Sequence, residues 1–421
     1  MSYLIVFRAS PDVDHMAPLA WKLLEQGETV HAVMSVAYDV DADHRLALLR
    51  GYPSFHVHEL RPRRRDGLRE RLAQRTRVTL PRVAWFLRQL DVELVAVEWG
   101  YGLAAGYDRL RSTAGARAVL GSLVGSLRRS NDPRQPRASF IVAARLLGIP
   151  VVCLPHGLSV KLDAASNHEA AALIAAGALD WRDRNRFDAY VLNTEHHRKI
   201  HLEHARGDPD VMHTWGSLRW SPEWFEINLR SSPPFAWPAG EDGRPRVVFM
   251  VPKWQNRVDA PAAIDLVRRL QAVEGVSLAV MGHPRSLGED SDVLRSAPGI
   301  DWEQIHDLSG RNSVSVIREA DVVIDVGSSI GLEVVLQDKV LVNPSYLHEI
   351  RTLFDAVEGA AVIASDAGEV IDYLVRHRDG DAHRIPAGAR EELLRHAVYG
   401  TREPYDVAQL YCERLRALVR C

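Results

Sequence analysis

The sequence predicts an α/β chain of two doubly wound, Rossmann-like domains facing each other across a cleft. Three observations predict it. Short apolar runs alternate with segments of helical spacing, the pattern of a parallel sheet covered on both faces. The alternation occurs as two series, separated by a stretch rich in Pro, Gly and Ser. The 421 residues are enough for two domains that each bury a core.

The first series opens with the strand "YLIVF", Tyr3–Phe7, and the helix "HMAPLAWKLLEQG", closed by Gly27. Strands follow at "TVHAVMS", Val92–Gly100, Ile149–Gly157 and Ala189–Thr194. The second series has strands at Val247–Lys253, Val276–Pro284, Asp321–Gly327, Lys339–Pro344 and Ala360–Ser365. "AREELLRHAVYG" and "DVAQLYCERLRALVR" are helical by spacing. The expected organisation is a first domain over 1–228, a linker over 229–246, a second domain over 247–385 and C-terminal helices over 386–421 that cross back onto the first.

Composition narrows the function classes. Hydrophobic residues make up 46% and charged residues 25%, as in soluble globular proteins. A net charge of −3 gives no support for a nucleic-acid partner. Cys153, Cys412 and Cys421 are far apart and match no metal-ligand spacing, so a reduced, cytoplasmic setting is expected. The opening "MSYLIVFRASPD" is too short for a secretory signal or a membrane span.

In open α/β sheets ligands bind at the carboxyl ends of the strands, and the candidate residues cluster there. Gly327, Ser328 and Ser329 end one strand and precede the helix "IGLEVVLQ". Ser328 is a plausible N-cap, and the unpaired amides of a helix start suit a phosphate. Glu333, about one turn on, could reach a ribose hydroxyl. "MGHPR" ends another strand. Arg285 offers a bidentate fork for phosphate oxygens, His283 a donor to a phosphate or leaving oxygen, and Pro284 an extended exit from the sheet. Lys253 in "VPKWQ" adds positive charge.

In the first domain, His156 of "CLPHGLSVKLD" could act as general base toward an acceptor hydroxyl. Arg8 and Asp12 of "FRASPDVDH" lie on the acceptor side, and the strand-end carboxylate of Glu98 could orient a sugar or serve as base. "WGSLR", Trp215–Arg219, could form a hinge or contact phosphate. Arg61 to Arg82 carries nine arginines against Asp66 and Glu70. Such a segment could rest on an anionic membrane surface or bind an anionic acceptor, but a solvated helix is the default and favoured explanation.

The strand end "LPHG", the strand end "GHPR" and the helix start "GSSIGLEV", in that order, resemble GT-B glycosyltransferases. The resemblance is to the bacterial surface-polysaccharide group of CDP-glycerol glycerophosphotransferases, Kdo transferases, and sialyl- and polysialyltransferases. It implies that His283, Pro284, Ser328 and Ser329 hold the phosphate of a cytidine-linked donor, with His156 near the transferred group. The basic residue that many relatives carry two positions before the histidine is Met281 here. The base stays open between His156, Glu98 and Asp12.

The expected reaction is a metal-independent transfer of a sugar or polyol phosphate from a nucleotide-activated donor to a carbohydrate or glycolipid acceptor, with no cofactor. It would take place in the cytoplasm or at the inner face of the membrane. Two alternatives remain: an enzyme like UDP-N-acetylglucosamine 2-epimerase, and a GT-B scaffold without activity.

Overall fold

The computed structural model describes residues 1–7, 10–34, 40–59, 80–98, 135–155, 157, 160–165, 167–238, 243–282, 289–381 and 383–420. These residues form two parallel sheets. The first has seven strands: β1 (Ser2–Phe7), β2 (Thr29–Met34), β3 (Phe55–Glu59), β4 (Leu94–Glu98), β5 (Val151–Leu154), β6 (Ala189–Leu192) and β7 (Met212–Thr214). Their spatial order is β3-β2-β1-β4-β5-β6-β7. The second contains β8 (Arg246–Met250), β9 (Ser277–Met281), β10 (His306–Asp307), β11 (Val322–Ile324), β12 (Val340–Pro344) and β13 (Val362–Ala364), in the order β10-β9-β8-β11-β12-β13.

Both sheets reverse direction beside their first strand, between β1 and β4 and between β8 and β11. This is the doubly wound topology, and each reversal opens a crevice at the carboxyl ends of the two strands. The central strands are apolar along their length because helices cover both faces. Leu4, Val6, Val95, Val97 and Val151 are buried in the first core, and Val247, Phe249, Val322, Ile324 and Val342 in the second.

Internal packing divides the chain into two compact units. The first comprises Met1–Gly157, Asp180–Ser231 and Val398–Cys421; the second comprises Leu158–Leu179 and Ser232–Ala397. Segment 158–179, assigned to the first domain from sequence, thus belongs to the second unit. Main-chain pairing accounts for this: Lys161 bridges antiparallel to Thr352, the Leu162 N–H donates to the Arg351 carbonyl at 2.8 Å, and the Leu353 N–H donates to the Val160 carbonyl at 2.8 Å.

The stretch expected to be a linker is also partly packed. Trp237 is buried and donates its indole N–H to the Ser277 hydroxyl at 2.8 Å. The Ser315 hydroxyl donates to the Pro233 carbonyl at 2.6 Å. The two C-terminal helices separate. Ala387–Ala397 stays with the second unit, where Arg390 donates to the Leu336 carbonyl at 3.1 Å. Val407–Arg420 packs on the first-unit helix Ser10–Glu25, and Arg416 bonds Glu28 at 2.8 Å.

"WGSLR" is the seat for that last segment. The Ser217 N–H donates to the Val398 carbonyl at 2.8 Å, and the Tyr411 hydroxyl donates to the Gly216 carbonyl at 2.9 Å. These bonds tie "WGSLR", expected from sequence to form a hinge or contact phosphate, to the C-terminal segment of the same unit. Gly216 has φ +86°, and a Cβ there would stand 2.5 Å from the Val398 carbonyl oxygen. Gly216→Ala is therefore expected to destabilise the protein by about 3 kcal/mol in urea unfolding, through left-handed strain plus a backbone clash. A change below about 0.5 kcal/mol would show that the seat is not tightly closed.

Edge strand β3 carries "HVH". His31 of β2 stacks on His56 at 5.1 Å between ring centroids, and its Nδ1 lies 3.1 Å from His58 Nε2. Among the described residues, no cluster of His, Cys, Asp or Glu could hold a metal ion, and no helix is long and apolar enough to cross a membrane.

Candidate functional site

The crevice of the second unit lies between the ends of β8 and β11. Just beyond β11, Asp325 is buried at 2% exposure. Its carboxylate accepts the Ser328 N–H at one oxygen and the Ser328 hydroxyl at the other, both at 2.7 Å. The Ser328 oxygen in turn accepts the Ile330 N–H at 3.2 Å. Ser328 therefore caps the helix Ile330–Leu336 from one position further out than the formal N-cap, Ser329, and its hydroxyl proton is committed to Asp325.

Gly327 permits this turn. Its φ is +63°, and a Cβ would come within 2.9 Å of Thr352 Cγ2 and 3.3 Å of His348 Nε2. His348 bonds the Asn343 amide oxygen at 3.2 Å, while the Asn343 amide donates to Asp355 at 2.9 Å. The Thr352 N–H and hydroxyl both donate to the other Asp355 oxygen at 2.7 Å. The wall behind the turn is thus a hydrogen-bonded chain running from His348 through Asn343 and Asp355 to Thr352.

Among the described residues, Lys253, Arg257 and Lys161 are cations at this end of the unit. Lys253 follows β8. Arg257 pairs with Glu349 at 2.7 Å, and its neighbour Val258 bridges antiparallel to His348. Lys161 pairs with the other end of the same loop, at Thr352. Burial, reinforced by Lys253, brings the Lys161 ammonium down to about 8, while Asp325 acts in the opposite direction. Burial pushes Asp325 up to about 6, against the Ser328 bonds and the attraction of Lys161. Burial also lowers His348. Such a set can take up a multiply charged anion.

The structure thus brings Gly327, Ser328, Ser329 and Lys253 to one strand-end region. Glu333, expected to reach toward a ribose, is buried at 1% exposure, and its carboxylate accepts the Ser313 hydroxyl at 3.4 Å. Arg8, His156, His283, Pro284 and Arg285 lie outside the described residues, as does Arg61 to Arg82 up to residue 79.

In the first unit, Glu98 ends β4 and is buried, and Asp12 is buried in the first turn of the helix after β1. Both stand at that unit's reversal point. One turn beyond Asp12, buried His15 has its Nε2 3.7 Å from where a Cβ on Gly157 would lie. The Asn193 amide donates to the Gly157 carbonyl at 2.7 Å, securing the turn after "LPH".

Sequence reasoning did not single out Asp325, Lys161, Arg257, His348 or His15. Asp325 had a visible signal, an acidic residue within the apolar run "DVVIDVG". The other four had none, because their neighbours come from distant parts of the chain.

No protein-family model matches the sequence, and no curated protein matches it. Solved structures do. UDP-GlcNAc 2-epimerase from Neisseria meningitidis, bound to UDP-GlcNAc, aligns over 99% of this chain and 100% of its own, with TM-score 0.53 and 12% identity. UDP-GlcNAc 2-epimerase from Methanocaldococcus jannaschii aligns over 99% and 100%, with TM-score 0.52 and 9% identity. A glycosyltransferase from Rickettsia africae aligns over 100% and 98%, with TM-score 0.53 and 12% identity. At these identities the likeness shows the fold, which is GT-B.

Proposed function

We propose that this chain is an enzyme acting on a nucleoside-diphosphate sugar, of the UDP-N-acetylglucosamine 2-epimerase kind. The diphosphate would bind at the reversal point of the second unit. The observation that carries the proposal is the gathering of Lys161, Lys253 and Arg257 at the strand ends that carry the Gly327–Ser329 turn. A positive-φ glycine lets the backbone approach a phosphate, and the cations offset the charge that grows on the diphosphate as the bond to the sugar weakens. The epimerase-type structures similar to this chain, one of them bound to UDP-GlcNAc, support a uridine nucleotide.

Inverting a sugar carbon requires a proton to leave one face and return to the other. Asp12, Glu98 and His156 are the groups proposed for that work, and His283 and Arg285 are proposed as further phosphate ligands. No external acceptor is needed.

The order of "LPHG", "GHPR" and "GSSIGLEV" favours a second reading, transfer from a cytidine-linked donor to a surface polysaccharide or glycolipid. Arg61 to Arg82 would then rest on the inner face of the membrane. A thermal-shift panel of UDP, UDP-N-acetylglucosamine, CDP and CMP separates the readings. A uridine ligand at 100 times its Kd is expected to add about 2.7 kcal/mol, while CMP adds nothing. Incubation with UDP-N-acetylglucosamine in D2O should place deuterium at C2. Stabilisation by cytidine nucleotides alone, with no exchange, would overturn the epimerase reading in favour of transfer.

A further inference from the structure

Two helices of the first unit pack side by side on its sheet. The helix Leu80–Gln89 buries Leu80, Val83 and Leu87 in one core with Leu4, Val6 and Val95. The helix Gln135–Leu146 sends Phe140, Ala143 and Ala144 into the same core. Phe86 of the first meets Phe140 of the second edge-on, with ring centroids 6.2 Å apart. Their inward faces are therefore fully used by the fold.

The outward side is unusual for a surface. Trp85 is 61% exposed and Leu146 is 70% exposed. Among the described residues of the first unit, these are the two large apolar side chains so exposed; Leu173, Val293 and Ile363 belong to the second unit. A single apolar side chain in water is ordinary, but here both lie on one helix pair. Arg82 and Arg88 stand one turn before and one turn after Trp85, both exposed, and the helix "LPRVAWFLRQ" carries no acidic residue. The sequence leading into it is basic as well, with nine arginines from Arg61 to Arg82 against Asp66 and Glu70.

An indole between two guanidinium groups suits the boundary between lipid headgroups and acyl chains. The ring prefers that boundary, while arginine stems lie along apolar surface and their heads reach lipid phosphates. A second copy of the chain fits less well, because a two-fold contact sets this face on itself and brings arginine against arginine. A bound peptide calls for a groove or a sheet edge, and this is the outer side of two packed helices.

We propose that the outward face of this helix pair, with Trp85 at its centre and Arg82, Arg88 and Leu146 around it, rests on an anionic lipid surface. The contact is shallow and reversible, since it combines a small apolar area with a basic patch. It depends on neither the nucleotide nor the sugar and so holds for either reaction considered above.

The test is co-sedimentation of the full chain with vesicles of phosphatidylcholine alone, or with about one-third phosphatidylglycerol. Wild type is expected to pellet with the anionic vesicles, to stay in solution with the neutral ones, and to be released by added salt. Trp85→Ala should lower the partition constant on anionic vesicles by about five- to tenfold and Leu146→Gln by about threefold, through lost apolar contact. Arg88→Gln should lower it by about fivefold, as for one basic residue at the surface. Val293→Gln, a change at an exposed apolar position of the second unit, should leave it unchanged. A wild type that pellets with neither vesicle overturns the proposal, as does binding that all three first-unit substitutions leave intact. Sedimentation velocity showing a wild-type dimer that Trp85→Ala converts to monomer gives the face to a second copy and also overturns it. Unchanged melting temperatures would show that the losses are not of folding; if Trp85→Ala melts lower, Leu146→Gln and Arg88→Gln decide. None of these residues lies at the Gly327 turn, so UDP binding tests the nucleotide reading separately.

Discussion

Asp325→Ala is expected to abolish measurable UDP binding and to destabilise the protein by about 2 kcal/mol, from the loss of two hydrogen bonds to a charged acceptor and the cavity left at a buried position. The carboxylate does two jobs at once. It fixes Ser328 through the main-chain N–H and the hydroxyl, both at 2.7 Å, and its negative charge favours the charged form of Lys161. Without it, the hydroxyl loses its acceptor and the turn loses its tether to the end of β11. Asp325→Asn separates the effects, because it keeps the shape and one acceptor while removing the charge. It should cost less stability than alanine and still lose most of the affinity. Urea unfolding and calorimetry on the two variants measure this. Wild-type UDP affinity in Asp325→Ala would show that the turn is not part of a phosphate site.

The second large effect is a loss of stability on mild acidification. Burial, with help from neighbouring imidazoles, holds His31 down to about 4. Burial likewise brings His197 to about 4, and burial with the adjacent Arg184 brings His201 to about 2. An unfolded histidine titrates near 6.5. As pH falls through 6.5 toward 4, the unfolded chain takes up protons that these native imidazoles cannot, so their contribution is full above 6.5 and is lost progressively below it. His31 alone is on the order of 2 kcal/mol after solvent screening.

Asp325 acts in the opposite direction. Its native value of about 6 lies above its unfolded one, so its own titration favours the folded state as pH falls. Three histidines outweigh one carboxylate. Urea unfolding at pH 7.5, 6.5 and 5.0 should show stability falling by more than one proton's worth, about 1.4 kcal/mol per pH unit, before ordinary carboxylates titrate. His31→Gln should flatten that slope by about one proton. Stability that is flat from 6.5 to 5.0 would contradict the buried, neutral state of these rings.

The sequence by itself determined the fold class, the two series of strands and the turn at 327–329. These follow from local signals: apolar runs for strands with both faces covered, helical spacing between them, and Gly-Ser-Ser after an apolar strand. It missed β3, β7 and β10, and the reason is positional. Each is an edge or a short flanking strand, and "FHVHE", "MHT" and "HD" carry too few apolar residues to stand out.

Only the tertiary structure decided that 158–179 belongs to the second unit, because main-chain bonds to residues 351–353 leave no trace in composition or periodicity. The same holds for the site. Ser328 and Lys253 were legible as strand-end residues. The company of Lys161, Asp325 and His348 depends on strand order and on two isolated bridges, which join residues roughly 90 and 190 positions apart in sequence. Local chemistry proposes a phosphate turn; long-range backbone pairing determines which charges surround it.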